Sequence, residues 1–134
     1  MKGNFIFHHY GLAVKDFYNS INFHKNLGYK LSKEVFDPIQ DVNLIFCKKF
    51  GFPSVELIKP ESENSPIKGY LSRNPEIIYH VCYEIDSKED IESFFHKNSY
   101  KLVSDFAPAV LFENKLVAFY YVRDLGLVEI LLRN

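Results

Sequence analysis

His9, Glu56, His80 and Glu129 are the residues of this chain whose types and spacing point to chemistry. Two imidazole nitrogens and two carboxylate oxygens make a mixed donor set. It suits Zn, Ni, Co, Mn or Fe(II) and leaves coordination positions for water or substrate oxygens. Both glutamates interrupt apolar strand patterns, Ser54-Val55-Glu56-Leu57-Ile58 and Leu127-Val128-Glu129-Ile130-Leu131. A carboxylate in the middle of such a strand is costly to desolvate unless a cation or strong hydrogen bonds compensate it. Two such carboxylates call for one explanation, and a single divalent ion held by all four residues supplies it.

The elements that must position these residues are duplicated. His9 maps onto His80 at an offset of 71, and the same offset takes Asp16 to Ser87, Phe23 to Phe94 and Tyr29-Lys30-Leu31 to Tyr100-Lys101-Leu102. Glu56 and Glu129 lie 73 apart, which fits a two-residue insertion in a loop. Each half reads as strand, helix and three further strands. In the first half, Phe5 to Val14 alternates as a strand, and Asp16 caps a helix with apolar positions at Phe17, Ile21 and Leu27, closed by Gly28. Strands at Tyr29 to Phe36, Val42 to Lys48 and Ser54 to Ile58 follow, broken by Asp37-Pro38 and Gly51-Phe52-Pro53.

The second half repeats the plan with a strand from Ile77 to Ile85. A capping box of Ser87 and Asp90 opens a helix that runs through Asn98 and buries Ile91, Phe94 and Phe95. Strands at Tyr100 to Ser104, Lys115 to Tyr121 and Leu127 to Leu132 complete it. Pro60 to Pro75 reads as a linker with a short helix, Ser65 its cap and Pro66 its first residue. The expected fold is therefore α+β: one domain over residues 1–134, built from two tandem βαβββ modules, about 5–59 and 76–134, with a linker helix at about 60–75. The modules are expected to form a curved mixed sheet around a metal-binding cavity.

Strand side chains alternate faces, so His9 shares one face with Gly11 and Ala13, and His80 shares one with Cys82 and Glu84. The bulky opposite faces, Tyr10, Leu12 and Val14 in one half and Val81, Tyr83 and Ile85 in the other, are left to pack on the helices. Glu84 is thereby a weak catalytic candidate, with a rim position as its ordinary reading. His8, His24 and His96 lack the paired setting of His9 and His80 and read as structural or solvent-facing.

With 47% hydrophobic and 25% charged residues, the chain has enough apolar content for a real core. Sixteen basic residues nearly cancel seventeen acidic ones, and no Lys/Arg cluster stands out along the sequence, so neither nucleic acid nor a membrane is expected as a partner. Cys47 and Cys82 are too few for a disulfide framework and read as buried thiols in a reducing cytoplasm. The longest apolar run, Leu116 to Val122, is far below the ~20 residues a spanning helix needs, and no targeting segment is expected.

These features together resemble the vicinal oxygen chelate superfamily, which includes glyoxalase I, methylmalonyl-CoA epimerase, extradiol dioxygenases and bleomycin-resistance proteins. The resemblance rests on His8-His9-Tyr10-Gly11-Leu12-Ala13-Val14-Lys15-Asp16, Leu27-Gly28-Tyr29, Val55-Glu56-Leu57-Ile58-Lys59-Pro60, Ser65-Pro66-Ile67, Tyr79-His80-Val81 and Gly126-Leu127-Val128-Glu129-Ile130. It is nearest to the epimerase branch. The resemblance implies paired βαβββ modules, a metal chelated by substrate oxygens, a small-molecule substrate and a homodimer. It also implies a metal-dependent isomerase, epimerase or lyase that enolises a small oxygenated substrate, an acyl thioester among them, with Glu129 and Glu56 as candidate bases.

Leu44 stands where some epimerases carry a further carboxylate, and Ala13 stands where glyoxalase I relatives carry a glutathione-gripping arginine. A non-catalytic, resistance-type binding protein is the alternative reading. An extradiol dioxygenase comes third, because its usual ligand triad has no place for Glu56.

Overall fold

The computed structural model describes residues 4–133. The chain divides into two compact units, one of His9–Tyr79 and one of Met1–His8 with His80–Asn134. These are called the N-terminal and C-terminal units below. The first strand, β1 (Ile6–Val14), is shared: its opening residues belong to the C-terminal unit, where the Phe5 ring lies 5.0 Å from Phe94 and Phe7 lies 5.8 Å from Tyr83.

The N-terminal unit continues with α1 (Tyr18–Asn26), β2 (Lys30–Leu31), β3 (Val35–Asp37), β4 (Val42–Lys48), β5 (Val55–Pro60) and the short α2 (Lys68–Leu71). The C-terminal unit adds β6 (Glu76–Ile85, from His80 onward), α3 (Lys88–Lys97), β7 (Lys101–Ala109), a single 3-10 turn at Val110–Phe112, β8 (Lys115–Val122) and β9 (Gly126–Leu132). Strand order is β2-β4-β5-β1 in the first, with β3 also on β4, and β6-β9-β8-β7 in the second. Each module thus pairs its first strand in parallel with its last and completes the sheet with antiparallel neighbours. The expected α+β architecture of tandem βαβββ modules with mixed strand pairing is what the chain adopts.

Each helix packs on one sheet face. In the N-terminal unit Val14, Phe17, Tyr29, Ile45, Cys47, Val55 and Leu57 form the helix-side core. Burial there pushes the Cys47 thiol up to about 12. In the C-terminal unit Ile85, Ile91, Phe95, Ala118, Tyr120, Val128 and Ile130 do the same, with Phe95 stacked on Tyr120 at 3.9 Å. Ser87 caps α3 as expected, its hydroxyl accepting from the Asp90 amide at 3.2 Å. Glu89 and Asp90 in the first turn and His96 and Lys97 in the last complement the helix dipole.

Several local expectations are corrected. Asp16 accepts from the Tyr18 amide at 2.7 Å, but the residue at the helix boundary is Phe17, so the carboxylate caps from one position further out. Leu27 is exposed, and His24 is buried on α1, bonded through Nδ1 to the Ser20 carbonyl at 2.8 Å. Gly28 closes this helix with φ +92°, a left-handed conformation that glycine adopts freely.

The strand read over Tyr29 to Phe36 is two short strands. At the break, the Ser32 hydroxyl accepts from the Phe46 amide at 2.8 Å and takes over a backbone role. Ser65 does not cap the linker helix: its buried hydroxyl has no hydrogen-bond partner among the described residues, and the helix begins at Lys68. β7 runs on to Ala109 through two register shifts.

Truncating Ile91, which has no exposed surface, leaves a cavity beneath α3, so Ile91→Ala is expected to lose about 2–5 kcal/mol of stability. Leu27→Ala, on the exposed side of α1, is expected to stay within about 0.5 kcal/mol of the parent. Urea denaturation of the two variants checks both values; equal losses would contradict the packing described.

Candidate metal centre

In the N-terminal unit, β1 pairs with β5 so that Gly11 lies opposite Glu56 and Ala13 opposite Ile58. On the other side of β5, Phe46 lies opposite Glu56 and Leu44 opposite Ile58. These residues share the sheet face away from α1, and His9 belongs to it by alternation along β1. His9 Nε2 stands 3.6 Å from Glu56 Oε1, and both side chains are buried. The Phe46 ring meets the His9 imidazole edge-on at 5.5 Å and 88°.

The C-terminal unit builds the same arrangement from the second half of the sequence. Cys82 lies opposite Glu129 across β6 and β9, and Phe119 lies opposite Glu129 across β8 and β9. His80 Nε2 stands 3.2 Å from Glu129 Oε1, again with both side chains buried. Phe119 meets the His80 ring edge-on at 5.6 Å and 81°. Each half-site is thus one histidine, one glutamate and one phenylalanine, with Phe46 and Phe119 separated by the same 73 residues as the glutamates. The two phenylalanines went unnoticed in the sequence, although that shared offset was a signal able to find them.

An imidazole nitrogen beside a buried carboxylate oxygen has two stable chemistries. Either a proton on Nε2 is directed at the carboxylate, or the proton sits on Nδ1 and both atoms offer lone pairs to a cation. Each unit thus contributes one buried pair of potential metal ligands, His9 with Glu56 in the N-terminal unit and His80 with Glu129 in the C-terminal unit. As donors they fit a first-row divalent ion.

The other candidates fall outside these pairs. Glu84 is half-buried and paired with Arg133, its Oε1 3.5 Å from Nη1, so it sits at a rim. His8 is half-buried against Phe112, ring centres 5.2 Å apart, rather than facing solvent. Leu44 is buried and apolar where a further carboxylate was sought.

A buried carboxylate on that side of the N-terminal unit belongs instead to Asp37, read in the sequence only as turn punctuation. Asp37 pairs with Val42, two residues from Leu44 on the same face of β4. Its Oδ1 accepts from the Ile39 amide at 2.9 Å and the Gln40 amide at 3.2 Å, which fixes the β3–β4 turn. Burial holds its carboxyl above the usual range, the turn amides pull it back, and the charge of Glu56 raises it slightly. The C-terminal unit also holds an apolar cavity of about 240 Å³, lined by Phe5, Tyr83, Phe94, Val128 and Ile130. Tyr83 and Ile130 place it on the helix side of the sheet, opposite Glu129.

Residues 8–119 match the model of the glyoxalase/bleomycin resistance protein/dioxygenase superfamily. The mitochondrial methylmalonyl-CoA epimerase of Homo sapiens is 30% identical over 126 residues, covering 91% of this chain and 70% of that protein. The ethylmalonyl-CoA/methylmalonyl-CoA epimerase of Cereibacter sphaeroides is 28% identical over 126 residues, covering 91% of this chain and 93% of its own length. Among solved structures, a hypothetical protein from Bacillus halodurans superposes with a TM-score of 0.84 at 25% identity, covering 100% of this chain and 96% of its own. Methylmalonyl-CoA epimerase from Mycobacterium tuberculosis superposes with a TM-score of 0.82 at 21% identity, covering 96% and 87%, a likeness of fold. With the duplicated modules and the paired His–Glu half-sites, these matches establish that the chain belongs to the glyoxalase/bleomycin resistance protein/dioxygenase, or vicinal oxygen chelate, superfamily, near its methylmalonyl-CoA epimerase branch.

Proposed function

We propose that the chain is a metal-dependent isomerase or epimerase, or a lyase of related chemistry, that moves a proton at the carbon beside a carbonyl. The substrate class is a small oxygenated molecule, with acyl thioesters favoured because the similar human and bacterial proteins are named as epimerases of such compounds. The observation that carries the reading is the duplicated, buried His–Glu pair. In this reading His9, Glu56, His80 and Glu129 together hold one divalent ion. Such an ion, when bound, supplies Lewis acidity that stabilises negative charge developing on a substrate carbonyl oxygen.

The chain's own residues do the rest. One of Glu129 and Glu56 takes the proton from carbon, and the other, as its carboxylic acid, delivers a proton to the opposite face of the planar carbon, which inverts the centre. The two imidazoles remain as ligands, each held edge-on by its phenylalanine. Leu44, Phe46 and Phe119 give the face an apolar lining that excludes water and strengthens electrostatic interactions there. Asp37 is committed to its turn amides and serves as a support.

A binding protein without chemistry is the second reading, and the apolar cavity beneath α3 is the observation in its favour. Ligand binding indifferent to a chelator, without turnover, would select it.

Incubated with methylmalonyl-CoA in deuterated water, the metal-loaded chain is expected to exchange the substrate α-proton, followed by NMR. Removing the metal with EDTA is expected to stop exchange, and Glu129→Gln or Glu56→Gln to slow it by about 10²–10⁴-fold if that carboxylate moves the proton. Exchange indifferent to EDTA and to both variants would refute the reading. Ligating imidazoles must be neutral and ligating carboxylates ionised, so metal occupancy and exchange are expected to fall together as the pH is lowered. Exchange lost at low pH with the metal still bound would point to a proton-transfer group instead.

A further inference from the structure

One end of the N-terminal unit gathers aromatic and basic side chains. Phe50 is 97% exposed at the turn between β4 and β5, where Gly51 adopts φ +80° and Phe52 is half exposed. Lys49 joins this turn to α1: its Nζ bonds the Leu27 carbonyl and lies 4.0 Å from the Phe52 ring centre. Tyr29 donates its hydroxyl to the Pro53 carbonyl at 2.8 Å and fixes the same junction. Leu27 and, one helical turn earlier, Phe23 extend the exposed apolar surface. Lys30 pairs across strands with Lys48, and Lys25 is exposed on the last turn of α1. No Asp or Glu occurs between residues 17 and 33 or between residues 42 and 55.

We propose that this end of the N-terminal unit docks on an anionic lipid bilayer surface. Phe50 and Phe52 enter the interfacial layer, and Lys25, Lys30, Lys48 and Lys49 face the lipid headgroups. Contiguous exposed apolar surface marks an interaction site, and a rim of one charge sign selects the partner's sign. The chemistry matches lipid better than protein or nucleic acid. Lysine is depleted from protein–protein interfaces, and without arginine it provides point charges rather than the planar forks that read phosphates and bases. Apolar insertion combined with diffuse positive charge is what interfacial binding to anionic membranes uses. The near-neutral whole-chain charge concealed this patch, because Lys25 and Lys30 come from a different stretch than Lys48 and Lys49 and are joined to it through the Lys30–Lys48 pairing and the Lys49–Leu27 bond. The proposal is independent of the metal chemistry.

Flotation of the full chain with vesicles tests it. Vesicles of phosphatidylcholine with about one third phosphatidylglycerol are expected to bind the chain, and pure phosphatidylcholine vesicles to bind it about tenfold or more weakly. Phe50→Ser is expected to abolish flotation, and Lys30→Glu with Lys48→Glu to weaken it at least tenfold, both leaving the circular dichroism spectrum unchanged. High salt is expected to weaken binding of the parent chain. Absence of binding to the anionic vesicles, or binding unaffected by Phe50→Ser, would overturn the proposal. Self-association removed by Phe50→Ser without vesicle binding would assign the patch to a second copy, and binding to an acidic protein or an oligonucleotide in place of vesicles would assign it to that class. Either outcome overturns the lipid assignment.

Discussion

The molecule is organised around the burial of two carboxylates, Glu56 and Glu129, each beside an imidazole in the middle of an apolar strand. An isolated ionised carboxylate in such a setting shifts its protonation or destabilises the fold, so something positive must accompany each one. A proton on each imidazole can do this for its own pair. In the proposed function a divalent ion would do it for both pairs together and turn the cost of burial into a driving force for binding. Under that proposal, function and stability are coupled through the same four side chains.

The mixed sheets place those side chains. Pairing the first strand of each module in parallel with the last brings a histidine and a glutamate from distant parts of the sequence to neighbouring strands. The antiparallel strand beyond then sets a phenylalanine opposite the glutamate. The helices cover the other face and leave this one free of bulky packing elements of their own. The two half-sites differ in detail, 3.6 Å against 3.2 Å between nitrogen and oxygen, yet repeat the same residue types in the same order.

Much of this was legible because duplication doubles every signal. The offset of 71 linked His9 to His80 and Tyr29-Lys30-Leu31 to Tyr100-Lys101-Leu102, and strand alternation then gave the faces. What escaped was decided by tertiary contacts. Leu27 fits an apolar helical stripe, yet the helix end at Gly28 leaves it on the surface while His24 goes inward. Ser32 breaks a strand because its hydroxyl reaches an amide across the sheet. Asp37 is an ordinary turn residue in sequence, and only the register Asp37–Val42 reveals it as a buried acid near the face of Glu56. The patch proposed around Phe50 was legible only in part: Lys48-Lys49-Phe50-Gly51-Phe52 is continuous in sequence, but Lys25, Leu27 and Lys30 join it only through the fold.

The central claim is that the two half-sites serve one ion. Its most direct measurement is the metal content of the purified, untagged chain by plasma mass spectrometry, beside that of a His9→Ala, Glu129→Ala variant whose circular dichroism shows it folded. About one divalent ion per native chain, and none in the variant, is the predicted result. A native chain that takes up no divalent metal, or a variant that keeps its full complement, would contradict the account.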